Sequence, residues 1–229
     1  MLPKITAHSG ADGFPDNSLD YVRYALTSGA DYLEVDVRRG ADGRLMLGHD
    51  EADEALPTLE EVFTLLAETP RMGINCDLKE PGLEEAVCAL AKATCLQSRV
   101  LLTGTVDMRR WAARPELHAI AELWANIEEL LPDFDKEQLK DPACRKQAAE
   151  EAVRLCRELG IHTVNSWYGL ADEAFLERFR RAGIALSLWT VNEEDALRRY
   201  LLAGVRSVTT RKLTLALAIR EEEKGKREE

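Results

Sequence analysis

The chain of 229 residues is long enough for one large domain and too short for two comfortable ones. A hydrophobic content of 45% excludes wholesale disorder, and a formal net charge of −11 excludes a general nucleic-acid or anionic-membrane surface, which needs clustered Lys and Arg. A small phosphate-bearing substrate stays admissible, because a bound divalent cation can dominate the field inside a single cleft.

In chain order, residues 4–7 form a short strand ending at His8. A glycine-containing loop over 9–17 follows, then a helix to about 28, capped by Asn17 or Ser18 and stopped by Gly29. Residues 31–50 are the centre of the pattern. At period two, Tyr32, Glu34 and Asp36 point one way and Leu33, Val35 and Val37 the other. Gly40 to Gly43 then turns the chain, and Leu45-Met46-Leu47 returns as a second strand ending in His49-Asp50. Thr58 and Glu61 form a capping box that opens a helix to about 68.

Strand 72–79 carries Asp77 and Lys79 at its end, and helix 82–94 precedes strand 100–103. A short helix near 107–113 leads to a strand around 119–124. Residues 126–160 read as charged helix broken at Pro132 and Pro142, best formed over 148–159. Then come strand 162–165, helix 172–182, strand 185–191, helix 193–203, strand 207–210 and a helix over about 214–220. The expected organisation is one domain over 1–220 with a small hairpin insertion near 38–56, followed by a charged tail over 221–229.

Eight strand–helix alternations imply a parallel sheet closed into a (β/α)8 TIM barrel. His8, Glu34, Asp36, Asp77, Lys79, Glu122 and Asn165 are placed at strand C-termini, the face where that fold builds its sites. A doubly wound sheet is the competitor, but no Gly-rich phosphate loop follows any strand. Five cysteines, with no CxxC pair, suit a reducing cytosol. No apolar run approaches the length of a membrane span and no leader pattern opens the chain, so a soluble cytoplasmic protein without membrane anchoring is expected.

One buried carboxylate can be explained by an ion pair, and Arg38 or Arg39 could supply it for Glu34 or Asp36. Two on one face of an apolar strand, joined by Asp77 on another strand end, point instead to a metal site. All-oxygen ligands suit Mg²⁺, Ca²⁺ or Mn²⁺ better than zinc. Of four histidines, His118 and His162 begin strands and read as packing residues. His8 and His49 end strands on the expected catalytic face, where two imidazoles can serve as general base and general acid. Asp50 either fixes a histidine tautomer or caps the following loop. Trp189 fits a core position and a substrate wall equally well, and Trp167 and Tyr168 share that ambiguity.

The ordered set of motifs resembles the glycerophosphodiester phosphodiesterases. Their HRG, PENT-like, GAD-x-x-ExD, DG and HD elements appear as His8-Ser9-Gly10, Pro15 to Ser18, Gly29 to Asp36, Asp42-Gly43 and His49-Asp50. Pro57 to Glu61 matches PTLEE, Asn75 to Lys79 the E-x-K strand and Trp189 to Asn192 the WTVN segment. The resemblance implies a TIM barrel of the phospholipase-C-like phosphodiesterase type. It also implies one divalent cation, a small phosphodiester substrate and hydrolysis to an alcohol and glycerol phosphate. By position, His8 and His49 resemble the acid–base pair, Glu34, Asp36 and Asp77 the metal ligands, Lys79 the phosphate-binding lysine, and Ser9 and Trp189 substrate-side positions. A lyase that stops at a cyclic phosphate and a non-catalytic phosphodiester-binding barrel are the alternatives.

Three positions depart from the pattern. Ser9 replaces the arginine of the first motif, Asp77 stands where glutamate is usual, and Arg211 stands where aspartate is usual. Serine cannot supply a guanidinium's charge, so an empty substrate space beside Ser9 is expected. Arg38, Arg39 and Arg211 are the candidates to restore the lost charge.

Overall fold

The computed structural model describes residues 2–50, 55–131, 133 and 135–228. Residues 51–54 of the expected hairpin insertion and the break expected at Pro132 lie outside the described residues. The parallel strands are β1 (Lys4–Ala7), β2 (Tyr32–Arg39), β4 (Gly73–Leu78), β5 (Val100–Gly104), β6 (Ala121–Leu123), β7 (Ala125–Asn126), β8 (Thr163–Trp167), β9 (Ala185–Trp189) and β10 (Ser207–Thr210). β3 (Leu45–Leu47) pairs antiparallel with the end of β2.

Around the sheet the order is β6-β5-β4-β2-β1-β10-β9-β8-β7. β6 and β7 are one pass of the chain, interrupted at Trp124, with β6 bonded to β5 and β7 to β8. The first and last strands of the order therefore meet, and eight parallel positions form a nearly closed (β/α)8 barrel, as the alternation predicts.

Strand periodicity sorts the barrel into two faces. Ile5, Leu33, Val35, Val37, Ile74, Cys76, Leu78, Leu102, Val164, Leu188 and Val208 join the apolar core beneath the helices. Burying each larger aliphatic chain there contributes about 1.5–3 kcal/mol. The alternate positions, Thr6, Glu34, Asp36, Asn75, Thr103, Asn165, Ser187, Ser207 and Thr209, are just as buried but polar. Interiors of such barrels are usually packed with branched aliphatics. Here the interior spends its hydrogen-bonding groups inward, and the register sets Asp36 beside Asp77, Glu34 beside Asn75, and Asp77 beside Thr103.

The helices begin where the caps dictate. Ser18 accepts from the Tyr21 N–H at the start of α1 (Leu19–Ser28), and Thr58 and Glu61 close the expected capping box of α2 (Leu59–Ala67). α3 spans Glu84–Ala93 and α4 Met108–Ala112. A further helix, α5 (Pro115–His118), starts on its proline and delays the next strand to Ala121, later than the expected 119–124.

After α6 (Ile127–Leu130), Pro142 opens α7 (Pro142–Leu159) rather than breaking it, because a proline at the first helical position removes an N–H that has no intrahelical acceptor anyway. α8 (Glu173–Ala182) and α9 (Glu194–Leu202) follow, and α10 (Leu213–Glu228) continues through most of the terminal charge run. No described helix is long and apolar enough to cross a membrane.

Candidate active site

A cavity of about 350 Å³ opens at the C-terminal ends of the strands. Its walls include His8, Glu34, Asp36, His49, Asp77, Lys79 and Trp189, so seven of the eight side chains singled out in the sequence meet there. Ser9 is the exception. It is fully buried, its hydroxyl donates to Asn17 Oδ1 (3.1 Å) and accepts from the Asn17 N–H (2.7 Å), and its own N–H donates to Glu34 Oε2 (2.8 Å). The empty space expected beside Ser9 is not there: the short side chain is consumed in holding the loop to β2.

Glu34, Asp36 and Asp77 each offer a carboxylate oxygen, and these atoms lie within 4.8 Å of one another. Lys79 Nζ reaches Asp36 Oδ1 at 2.8 Å and Asp77 Oδ2 at 2.5 Å. Burial pulls the Lys79 ammonium down, but Asp77 and Asp36 outweigh it and hold the group charged well above its ordinary range. Glu34 is pushed well above the usual carboxylate range, first by burial and then by Asp36 and Asp77. One ammonium does not satisfy three carboxylates.

A fourth carboxylate, Glu128 just after β7, lines the same cavity, and its Oε2 is buried without a hydrogen-bond partner. Crowded anionic oxygens with an orphan among them fit a hard divalent cation. The shell beneath is fixed. Asn17 Nδ2 donates to Asp36 Oδ2 (2.8 Å), and Thr103 Oγ1 donates to Asp77 Oδ1 (2.9 Å). Tyr21 from α1 ties β1 to β2, its hydroxyl donating to the Ala7 carbonyl at 2.6 Å.

His8 leaves β1 with Nδ1 at 3.0 Å from the Ser9 carbonyl and 3.7 Å from Glu34 Oε2. A carbonyl only accepts, so the hydrogen bond requires the proton on Nδ1 and leaves Nε2 with its lone pair. Burial, aided by Arg211, lowers His8 below its ordinary value against the opposing effects of the Ser9 carbonyl and Asp36, so the ring is neutral near pH 7. His49 sits at the exposed rim with Nδ1 2.7 Å from Asp50 Oδ1. Asp50 thus does orient a histidine. The Arg38 guanidinium donates to the His49 carbonyl through Nε and Nη2 (2.9 and 2.8 Å), which holds the backbone of that rim.

Of the three candidate arginines, only Arg211 lines the cavity. Arg39 donates to the Gly82 carbonyl and Arg38 is taken up behind His49. Arg211, just past β10, is gripped by Asp16 through two bonds of 2.8 Å, and its N–H donates to Asn192 Oδ1. Gly10 makes the grip possible: a Cβ there would lie 1.8 Å from Asp16 Oδ1, and its φ of +73° is one that side chains avoid. Asn126, Thr103 and Thr209 also line the site; single polar residues at strand ends carry too little signal to be picked from sequence. Glu122, expected on this face, belongs to the opposite one: its strand runs on to Asn126, and Glu122 pairs with Arg206 at 2.7 Å.

The profile of the glycerophosphoryl diester phosphodiesterase family matches residues 8–64 and 51–213. A glycerophosphodiester phosphodiesterase of Caldanaerobacter subterraneus is 22% identical over 92% of this chain and 94% of its own length. Among solved structures, a candidate glycerophosphoryl diester phosphodiesterase of Agrobacterium tumefaciens superposes with a TM-score of 0.81 at 17% identity, covering 98% of this chain and all of that one. An Oleispira antarctica phosphodiesterase, solved with the product sn-glycerol-3-phosphate, gives 0.69 at 18% identity over 96% and 97% of the two chains. The barrel, the residues gathered at its mouth and the match over nearly all of the sequence place this chain in the glycerophosphoryl diester phosphodiesterase family, as an enzyme that hydrolyses glycerophosphodiesters.

Proposed function

We propose that the protein is a divalent-metal-dependent hydrolase that cleaves glycerophosphodiesters to an alcohol and a glycerol phosphate by acid–base catalysis between His8 and His49. The observation that carries this reading is the convergence of Glu34, Asp36 and Asp77 within 4.8 Å on the wall that also bears His8. Mg²⁺, Ca²⁺ or Mn²⁺ held by these carboxylates would supply Lewis-acid stabilisation of charge on the phosphoryl oxygens.

The chain's own residues do the rest. Neutral His8, with Nε2 free, accepts a proton from the glycerol hydroxyl as it attacks phosphorus. His49, exposed at the rim and oriented by Asp50, protonates the departing alkoxide. The resulting cyclic phosphate is opened by water with the two roles exchanged. Lys79 and Arg211 provide fixed positive charge for the phosphodiester, and Arg211 takes the part that Ser9 cannot. Trp189 forms a flat wall of the substrate space.

The test is thermal. Chelated wild-type protein should gain stability when Mg²⁺, Ca²⁺ or Mn²⁺ is restored, by about 2.7 kcal/mol at a hundredfold excess over the dissociation constant. The Glu34→Gln/Asp36→Asn double variant should gain nothing. A double variant that still responds in calorimetry places the cation elsewhere.

A further inference from the structure

Beside the cavity, two indoles make a corner. Trp167 and Trp189 are register partners on β8 and β9, so their side chains leave the sheet together. Trp189 lines the cavity wall. The corner already holds a cation: Lys136 Nζ lies 5.3 Å from the Trp189 ring centroid and 5.9 Å from that of Trp167. Among the described residues, no carboxylate lies within ion-pair distance of Lys136; Glu128 is near enough to feel its charge, and the two indole faces are the contacts that hold the ammonium in place.

An exposed lysine gains little from such a contact, because its ammonium is strongly hydrated. A less hydrated ammonium tethered to a phosphoryl group already seated in the cavity binds the same faces better. The local charge points the same way. Residues 128–137 carry Glu128, Glu129, Asp133, Asp135 and Glu137 against the single Lys136, so the stretch becomes more anionic once that ammonium swings out.

We infer, building on the phosphodiester hydrolysis proposed above, that the Trp167–Trp189 corner is a head-group subsite for phosphodiesters whose alcohol carries an ammonium, quaternary above all, and that Lys136 fills it until substrate displaces it. The enzyme then prefers glycerophosphocholine to glycerophosphoglycerol, whose phosphoryl end is identical and whose alcohol is neutral. Two aromatic faces support a ratio of kcat/KM between about 2-fold and 30-fold.

The experiment measures both substrates with wild type, Trp167→Leu, Trp167→Phe and Lys136→Ala, each checked for folding by circular dichroism. Trp167→Leu should collapse the ratio through KM for the choline substrate, Trp167→Phe should keep most of it, and Lys136→Ala should raise it by removing the competitor. A ratio unchanged by both Trp167→Leu and Lys136→Ala overturns the subsite. So does a preference for bis(glycerophospho)glycerol that Lys136→Ala abolishes, since Lys136 would then be a fixed contact for an anionic head. Hydrolysis of neither substrate would tell against the catalytic reading rather than the corner. In that event, quenching of tryptophan fluorescence by tetramethylammonium, present in wild type and lost in Trp167→Leu, still decides for the subsite, and its absence in wild type decides against it.

Discussion

The two ends of the barrel carry cavities of similar size, and both contain histidines and carboxylates. The C-terminal cavity, about 350 Å³, has His8, His49 and the acidic triad. The N-terminal one, about 380 Å³, has His118, His162 and Glu122. Volume therefore does not tell them apart; electrostatic satisfaction does. At the N-terminal end His118 stacks on Trp111, with ring centroids 5.0 Å apart, and bonds to its carbonyl, while among the described residues Glu122 is the one carboxylate paired with Arg206. At the C-terminal end Glu34 is crowded by Asp36 and Asp77, an oxygen of Glu128 has no partner, and one lysine serves two carboxylates. Charges left competing at its wall favour the C-terminal cavity as the seat of the proposed chemistry.

The largest effect that separates the two ends should come from their histidines. His8→Ala and His49→Ala should each lower kcat by ~10²–10⁴, the usual value of a positioned proton donor or acceptor. His118→Ala and His162→Ala should change it by less than about threefold, since substitutions away from such features usually stay small. Steady-state kinetics on folded variants would break the comparison if a His118 or His162 variant lost as much as a His8 variant.

Next in size is the cation on the cavity wall. Loss of a charge-assisted contact costs about 1.5–3 kcal/mol, so Arg211→Ala should lower kcat/KM roughly 10- to 150-fold, chiefly through KM. Arg211→Lys should recover part of that, because lysine keeps the charge but cannot sustain the two-pronged grip of Asp16. Ser9→Arg should reduce activity rather than raise it, since Ser9 is buried and bonded to Asn17 with no space to fill. A Ser9→Arg gain in kcat/KM would show that the missing guanidinium is not supplied by Arg211.

The smallest effect lies at the far end and concerns stability alone. Asp31 accepts from the Ile5 N–H, Lys4 and Arg220, and these contacts outweigh burial to hold it below its ordinary value of 3.8. A depressed carboxylate stabilises the fold above its unfolded pKa, and that stability is lost as pH falls through the folded one. Asp31→Asn should therefore lower the melting temperature by a few degrees at pH 7, and the gap from wild type should close below about pH 3.8. Turnover should be unchanged. A gap that persists in acid would mean Asp31 acts through packing rather than charge.

Much of this contrast was legible in the sequence because it rests on local rules. Period-two alternation placed Glu34 and Asp36 on one face, the capping box located α2, and strand β10 was read to the residue. What escaped depends on contacts distant in the chain or on small local surprises. Asn17 bonding Asp36, and Asp16 reaching Arg211 across 195 positions, leave no periodic trace. Ser9 looked like a loss, and only its buried bond to Asn17 shows it as part of the scaffold. Glu122 was assigned to the wrong end because α5 and the break at Trp124 shift that strand by several residues.

The most direct test of the central claim is ³¹P NMR of glycerophosphocholine incubated with the protein and Mg²⁺, Ca²⁺ or Mn²⁺ in turn, beside the Glu34→Gln/Asp36→Asn variant. Wild type should convert the diester resonance to that of glycerol phosphate, any cyclic phosphate being transient, and the variant should leave the diester untouched. A diester that survives with all three cations, a cyclic phosphate that accumulates as the end product, or a variant as fast as wild type would contradict hydrolysis at the C-terminal mouth.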